Sequence, residues 1–508
     1  MDILSVRQTY QADTGAAAVG ISGLALMESA GAAIARAIQA RWEQREVLVL
    51  AGPGNNGGDG FVVARLLKKA GWPVTVHLLG DKAALKGDAA TNAKRWRSKV
   101  QPLDQALDII AALDDAESLL VVDALFGAGL SKPLGGAAKS LAEILNIQMD
   151  EGRAPAVIAV DIPSGVNGDT GHISKGVAFS ADLTVTFCRL KPGHVLMPGR
   201  SYCGELVVAD IGISDDVVAS LSPTVFLNGV ELWEPALPEP DVQGNKYGRG
   251  HVVVLGGTVM CGAARLAALA ARRLGAGLVT VAAPETAFST YISAVDPGTL
   301  VSPFKGLKGF RKILSDPRKT TCVLGPGAGA SKSTRGKVLA ALTANKACVL
   351  DADALSAFKS EPEALFTGLG NHAHDVVLTP HGGEFARLFP DLAKMQASIG
   401  KLEVTRMAAK RAGCVVLYKG PDTIVACSDG RAAITANAPP TLATAGTGDV
   451  LAGFTAALLA QGMVAFDAAN AAAWLHAECA RAFGPGLIAE DLSDELPDVL
   501  ESLFDGLD

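Results

Sequence analysis

The sequence predicts an α/β protein of two domains, each built on a doubly wound, mostly parallel sheet. Three observations predict it. Short apolar runs of strand length alternate with Ala-rich stretches of helical spacing through both halves of the chain. A proline-spaced segment, Glu234-Pro235, Leu237-Pro238 and Glu239-Pro240, interrupts that alternation once, after which it restarts. The length, 508 residues, exceeds what one hydrophobic core ordinarily serves. The expected division is residues 1–225, a connector over 226–246, and residues 247–508.

In the first half, the initial ~45 residues read as helix, Leu26 to Gly31 lying in an Ala-rich run that ends near Trp42. A strand from Val47 to Ala51 leads into a glycine-rich loop, a helix from Phe61 to Ala70 and a strand from Val74 to Leu79, which is a βαβ unit. Buried strands recur at Leu119–Val122, Val157–Val160 and Leu183–Phe187, and Val207-Val208 ends the sheet.

In the second half, Val252–Leu255, Leu278–Ala282, Cys322–Leu324, Cys348–Leu350, Val376–Leu378 and Val415–Leu417 read as strands. Ala263–Leu274 is a helix between the first two. Thr423–Ala426 and Ala432–Thr435, joined through Ser428-Asp429-Gly430, read as a hairpin. Helices Asp449–Gln461 and Ala465–Phe483 close the domain, and no internal repeat relates the halves.

Composition narrows the function. Hydrophobic residues at 49% and charged residues at 19% describe a folding chain. A net charge of -7 without a Lys/Arg-rich run argues against a nucleic-acid partner, whose binding depends on phosphate neutralisation. The eight cysteines include no CxxC pair, so inert thiols in a reducing cytoplasm are expected rather than zinc or disulfides. Met1 to Ala12 has no apolar signal core, and Arg272-Arg273 breaks an apolar window, so no membrane span is expected. The Ala-rich helical surface leads us to expect a homo-oligomer.

The chemistry lies in loops that follow strands. In the second half, Ala445-Gly446-Thr447-Gly448-Asp449 opens an apolar helix, whose free N–H groups suit a phosphate, and sets a carboxylate beside it. Taken alone, it also reads as a glycine turn with Asp449 as a helix N-terminal acid. Lys419-Gly420-Pro421-Asp422-Thr423, Thr379-Pro380-His381-Gly382-Gly383-Glu384 and Gly325-Pro326-Gly327-Ala328-Gly329 also end strands, and the set points to a nucleotide. About 235–500 resembles the ribokinase-like fold, and TPHGGE, KGPDT and AGTGDVLAG resemble the ADP-dependent NAD(P)H-hydrate dehydratases. The resemblance implies that Lys419, Gly420, Pro421, Asp422, Thr423 and Gly448 contact ADP. It places Ala263, Gly329, His381 and Asp449 on the hydrated nicotinamide nucleotide, with Asp449 the catalytic acid/base. Mg²⁺ is expected on the phosphates. Glu384 is expected to cap its helix, with a Mg²⁺ contact as the alternative.

In the first half, Gly52-Pro53-Gly54-Asn55-Asn56-Gly57-Gly58-Asp59-Gly60 follows a strand and opens a helix. Its position matches a dinucleotide phosphate loop, but its spelling is not GxGxxG, so hydride chemistry is not indicated. Val122 to Leu130 and Val160 to Gly165 follow two further strands, and their Asp123, Asp161 and Ser164, with Asn56, offer hard oxygen ligands that suit an alkali or alkaline-earth cation. The three loops resemble the NAD(P)H-hydrate epimerases over about residues 1–220. That resemblance implies K⁺ on Asn56, Asp123 and Ser164. It implies substrate contacts from Asn55, Asn56, Gly57, Gly58 and Asp59, from Gly127, Ala128, Gly129, Leu130, Ser131, Lys132 and Pro133, and from Asp161 as the base at C6. Lys191 is expected as a solvated lysine, a phosphate contact being the alternative.

Together these resemblances imply a cytoplasmic enzyme that interconverts the R and S hydrates of NADH and NADPH (NADHX and NADPHX) and dehydrates the S form with ADP. A small-molecule kinase of the same fold also uses an acid in Asp449's place. A first domain that only senses a nucleotide is the third reading.

Overall fold

The computed structural model of the protein describes residues 1–174, 176–239, 242–370 and 376–505; Pro240 of the expected connector lies outside them. Two compact units result, Asp2–Thr224 and the unit beginning at Val225.

The first unit holds a seven-stranded sheet in the order Val100–Pro102, Val74–Leu78, Glu46–Ala51, Leu119–Ala124, Ala156–Val160, Leu183–Phe187, Glu205–Ala209. Every pairing is parallel. The chain enters at Glu46–Ala51, winds outward to Val100–Pro102, then returns to Leu119–Ala124 on the other side. The switch point between those two strands is where such a sheet binds ligands. Val47, Leu48, Val49 and Leu50 are buried on both faces, as β-branched and aliphatic runs in parallel sheets are.

The N-terminal ~45 residues are two helices rather than one, Val6–Ala18 and Gly23–Arg41, bent by 118°. The reason is local: Ser22 takes an extended conformation and accepts from the Ala25 N–H, starting a new helix. The glycine-rich stretch also differs from expectation. The helix begins at Asn55, not Phe61, and runs to Lys69. Only Gly52–Gly54 remain loop, and the three glycines after them are helical.

The second unit's sheet runs Val225–Leu227, Ala432–Thr435, Thr423–Ala426, Val415–Tyr418, Val376–Leu378, Ala347–Leu350, Thr321–Leu324, His251–Leu255, Leu278–Pro284, Leu300–Phe304. The expected hairpin is antiparallel, and six strands from Val415–Tyr418 inward pair in parallel to Leu278–Pro284. The expected connector is partly structured. Val225-Phe226-Leu227 pairs with Ala432–Thr435, and Trp233 is fully buried in this unit's core, because this apolar stretch has a sheet edge to cover. Strands Val100–Pro102 and Leu300–Phe304 were not expected; each is short and only partly buried, so neither carries a strong apolar signal.

Among the described residues no single helix is long and apolar enough to cross a membrane; Val6–Ala18 and Gly23–Arg41 reach that length and apolarity only as a bent pair.

Candidate active sites

At the first switch point, a Cβ on Gly52 would lie 1.7 Å from the Leu125 carbonyl oxygen, so only glycine lets the two strand-end loops meet. Helix Asn55–Lys69 starts behind Gly54 with no side-chain cap, which leaves its first N–H groups for an anion. A cavity of about 470 Å³ opens there. Asn55, Asn56, Asp59, Gly127, Ala128, Gly129, Leu130, Ser131, Lys132 and Asp161 of the expected set line it; Gly57, Gly58 and Pro133 do not.

Asp161 is the most constrained group in the cavity. Its φ is +67°, a left-handed conformation that costs a non-glycine residue energy and needs its surroundings to hold it. Its Oδ1 accepts from Lys191 Nζ at 2.8 Å and from Thr186 Oγ1 at 3.0 Å, and its Oδ2 from the Ala128 N–H at 3.1 Å. Burial raises the carboxyl's pKa, but the charge of Lys191 and the hydrogen bonds from Lys191 and the Ala128 N–H outweigh it, and the net direction is below the ordinary value. His194 Nδ1 accepts from the Lys191 N–H at 2.9 Å, which puts its proton on Nε2, 2.8 Å from the Asp161 carbonyl. Burial, then Lys191, holds this imidazole at about 4, so it is neutral. Lys191 is therefore not the solvated lysine expected: it is 1% exposed, because the Asp161 charge beneath the cavity needs a cation.

Asp123 is fully buried behind the cavity. Its oxygens accept from Ser164 Oγ and the Ser164 N–H, each at 2.7 Å, and burial lifts it to about 6. No cationic side chain is among the groups that shift it. Asn56 Nδ2 is buried without a partner, and Asn56 Oδ1 stands as close to a Cβ built on Gly127 as Asp161 does, 3.2 Å. The buried Asp123 carboxylate, with the Ser164 hydroxyl on it, offers hard oxygen ligands of the kind a monovalent cation takes.

Sequence reasoning expected helix here but gave it no part in the site, whereas Val6, Thr9, Tyr10 and Asp13 of helix Val6–Ala18 line the cavity. Their i, i+3, i+4, i+7 spacing marks one helix face, but nothing in it distinguishes a ligand face from a core face.

In the second unit, Asp449 is the third residue of helix Thr447–Ala460, behind Gly446. Gly446 has φ +92°, and a Cβ there would lie 2.8 Å from Leu266 Cδ1. The helix N-terminus has no side-chain cap. Lys419 Nζ donates to Asp351 Oδ1 at 2.6 Å, and a Cβ on Gly448 would lie 3.4 Å from that nitrogen. Burial, then repulsion from Asp351, lifts Asp449 to about 6 against the pull of Lys419. The phosphate loop, KGPDT and the end of strand Ala347–Leu350 thus converge. Asp351 and Asp353 were missed, although they follow a strand end as the other loops do. Between them Ala352 has φ +46°, a strained non-glycine residue at this site as Asp161 and Cys188 are at the first.

Glu384 caps its helix as expected, its Oε2 accepting from the His381 N–H at 3.0 Å. The His381 ring is exposed and accepts at Nδ1 from the Gly383 N–H. Thr423 Oγ1 closes the KGPDT turn against Gly420, and the buried Asp422 is paired with Lys401 Nζ at 2.7 Å. Ala263 lies in the first turn of helix Cys261–Arg273, and the exposed Gly329 donates its N–H to Asp353 Oδ2 at 2.8 Å.

Two doubly wound units, one with a buried Asp–Lys pair under a cavity and one with an acid at a glycine-led helix start, define a nucleotide-handling enzyme with two centres. Residues 252–499 match the family model NAD(P)H-hydrate dehydratase, and residues 23–193 match YjeF-related protein N-terminus. The bifunctional NAD(P)H-hydrate repair enzyme of Moorella thermoacetica is 36% identical over 95% of this chain and 93% of that one. That of Coxiella burnetii is 33% identical, covering 96% and 97%. An ADP/ATP-dependent NAD(P)H-hydrate dehydratase from Bacillus subtilis, co-crystallized with ATP/Mg2+, is 27% identical, covers 55% of this chain and 98% of that one, and superposes with a TM-score of 0.46. The chain belongs to the bifunctional NAD(P)H-hydrate repair enzymes. It is a bifunctional enzyme of nicotinamide-cofactor repair that acts on NAD(P)H hydrates.

Proposed function

We propose that Asp161 is the base at C6 in the epimerase cavity and Asp449 the base of the dehydratase. The observation that carries the second role is the position of Asp449, at an uncapped helix start beside Gly448 and Lys419. The ring hydroxyl attacks the terminal phosphorus of ADP, Asp449 takes its proton, and AMP leaves. The ring nitrogen then expels phosphate from C6, and loss of a C5 proton restores the dihydropyridine. Lys419, Gly420, Pro421, Asp422, Thr423 and Gly448 hold the nucleotide, the helix N–H groups facing the charge that develops on phosphate. Ala263, Gly329 and His381 hold the hydrate.

Asp351, Asp353, Glu384 and Asp449 stand against one lysine, a donor set that suits Mg²⁺. Among the described residues no three of these converge as a metal site by themselves, so one or two carboxylates would share the ion with nucleotide phosphates. Mg²⁺ there would neutralise phosphate charge. In the first unit, Asn56, Asp123 and Ser164 would hold K⁺, which would balance the buried Asp123. Eight free cysteines accord with a cytoplasmic location, and a homo-oligomer is the assembly we propose.

The test is to incubate hydrated NADPH with the protein, Mg²⁺ and ADP and follow the absorbance of the intact ring. Recovery of the ring with release of AMP supports the reading. No recovery with ADP or ATP overturns it, and consumption of ATP into a phosphorylated product would instead mark a kinase.

A further inference from the structure

Helix Val6–Ala18 lies outside the part of the first unit matched by its family model, residues 23–193, yet it walls the epimerase cavity. The helix is firmly placed. Ser5 and Gln8 form a capping box at its start, and the Val6 N–H donates to Asp169 Oδ1 at 2.8 Å. At its other end Gly15 packs against Val217. It presents Tyr10 and Asp13 to the cavity, and a Cβ on Gly129 would lie 2.4 Å from the Tyr10 hydroxyl.

Asp13 is half-buried, and among the described residues nothing makes a hydrogen bond or ion pair with its carboxylate. Asp161, on the sheet, is the opposite case: its carboxylate is fully engaged by Lys191, Thr186 and the Ala128 N–H. The titratable groups that share the cavity lining with Asp13 and interact with it by charge are Tyr10 on its own helix, Asp161, Lys191, Asp59 on helix Asn55–Lys69, and Cys188. Burial, opposed by Lys191 and reinforced by Asp161, shifts Asp13 upward while Asp161 is shifted downward. One carboxyl thus favours its proton and the other its charge, the arrangement of an acid and base pair.

We propose that Asp13 is the second proton-transfer group of the epimerase cavity, paired with Asp161. This rests on the reading of the first unit as the epimerase. Asp13 gives its proton to the C6 hydroxyl; the C6–O bond breaks, water leaves, and the lone pair of ring N1 forms an N1=C6 iminium. Water then adds to the other face of C6, and Asp161 takes its proton. The reverse reaction exchanges the roles, and solvent returns the proton from Asp161 to Asp13 between turnovers. Inversion at C6 therefore exchanges its oxygen with water.

The experiment uses the full chain with (R)-NADPH hydrate in ¹⁸O-water without ADP, separating the epimers and reading both conversion and label. Wild type should place one ¹⁸O at C6 per inversion. Asp13→Asn should lower kcat about 100-fold, the scale of a lost general acid, with KM changed less than about threefold. Asp13→Glu should recover at least about tenfold of that. Dehydration of pure S hydrate with ADP should be untouched. An Asp13→Asn enzyme that keeps kcat within about threefold, loses only KM, or is not rescued by glutamate overturns the proposal, as does inversion without label. A wild-type chain that does not speed inversion above the uncatalysed rate would instead sink the epimerase reading.

Discussion

Lys191 Nζ lies 2.8 Å from Asp161 Oδ1, and only 1% of the lysine side chain is exposed. The pair joins the strand-end loop after Ala156–Val160 to the loop after Leu183–Phe187. It lets a carboxylate stay charged at the base of a cavity, where burial alone would neutralise it.

Lys191→Met should cost about 3–5 kcal/mol, since it leaves a buried charge unpaired. It should also move the acid limb of the epimerase pH profile upward, because Asp161 would protonate more readily. The pair's sign follows from its direction. Asp161 is depressed below its ordinary 3.8, so its stabilisation is present above that pH and lost as pH falls below it. Denaturant melts at neutral pH and at pH about 3 would read both effects.

Asp449 behaves oppositely. Its folded-state value of about 6 lies above the ordinary 3.8, so its contribution to stability is full below pH 3.8 and lost as pH rises through about 6. Asp449→Asn should therefore melt higher at pH 8, by a free energy of order 1 kcal/mol after solvent screening. The same variant should abolish dehydration. In the wild type, the dehydration rate should fall as pH drops below about 6, and Asp351→Asn should extend activity to lower pH by removing the repulsion.

Two residues hold the glycine loop in shape. The buried His476 donates from Nε2 to the Thr447 carbonyl at 2.8 Å, and Gly446 supplies φ +92°. His476→Phe should cost about 1 kcal/mol and raise KM for ADP up to about tenfold. Gly446→Ala should cost more, about 1–3 kcal/mol, through backbone strain and the Leu266 contact. Initial-rate kinetics at varied ADP, with thermal melts, would check both.

Ser164→Ala removes the hydroxyl that donates to Asp123 and accepts from the Phe126 N–H at 2.9 Å. It should cost about 1–3 kcal/mol, the penalty of buried groups left without partners. It should also abolish any stimulation of epimerisation when tetramethylammonium chloride is exchanged for potassium chloride at equal ionic strength.

The strand-end loops were legible because each combines unusual residue types, glycines with Asn, Asp, Ser or Lys, at the end of an apolar run. Asn56, Asp123, Asp161 and Ser164 were singled out this way, and so were Lys419 and Asp449. Asp13 and Lys191 are single charged residues in ordinary surroundings, and no local pattern distinguishes them from solvated ones; Asp351 follows a strand end, but in a loop without glycine. The early start of helix Asn55–Lys69 was hidden for a related reason. Glycines argue for a loop in isolation, but here the helix presses against the neighbouring loop, where a Cβ on Gly57 would meet the Gly52 carbonyl oxygen at 1.9 Å.

By itself the sequence determined the α/β class, the pairing of two doubly wound units, the family, and the loops that carry the chemistry. Hydrophobic periodicity and glycine placement are local properties, and local order suffices to read them. The tertiary structure alone decided the electrostatic partners: Lys191 under Asp161, Asp351 beside Lys419 and Asp449, and Asp13 facing the cavity from a helix far away in the chain. A charge's behaviour depends on its burial and on which other charges approach it, and both are set only when the sheets close.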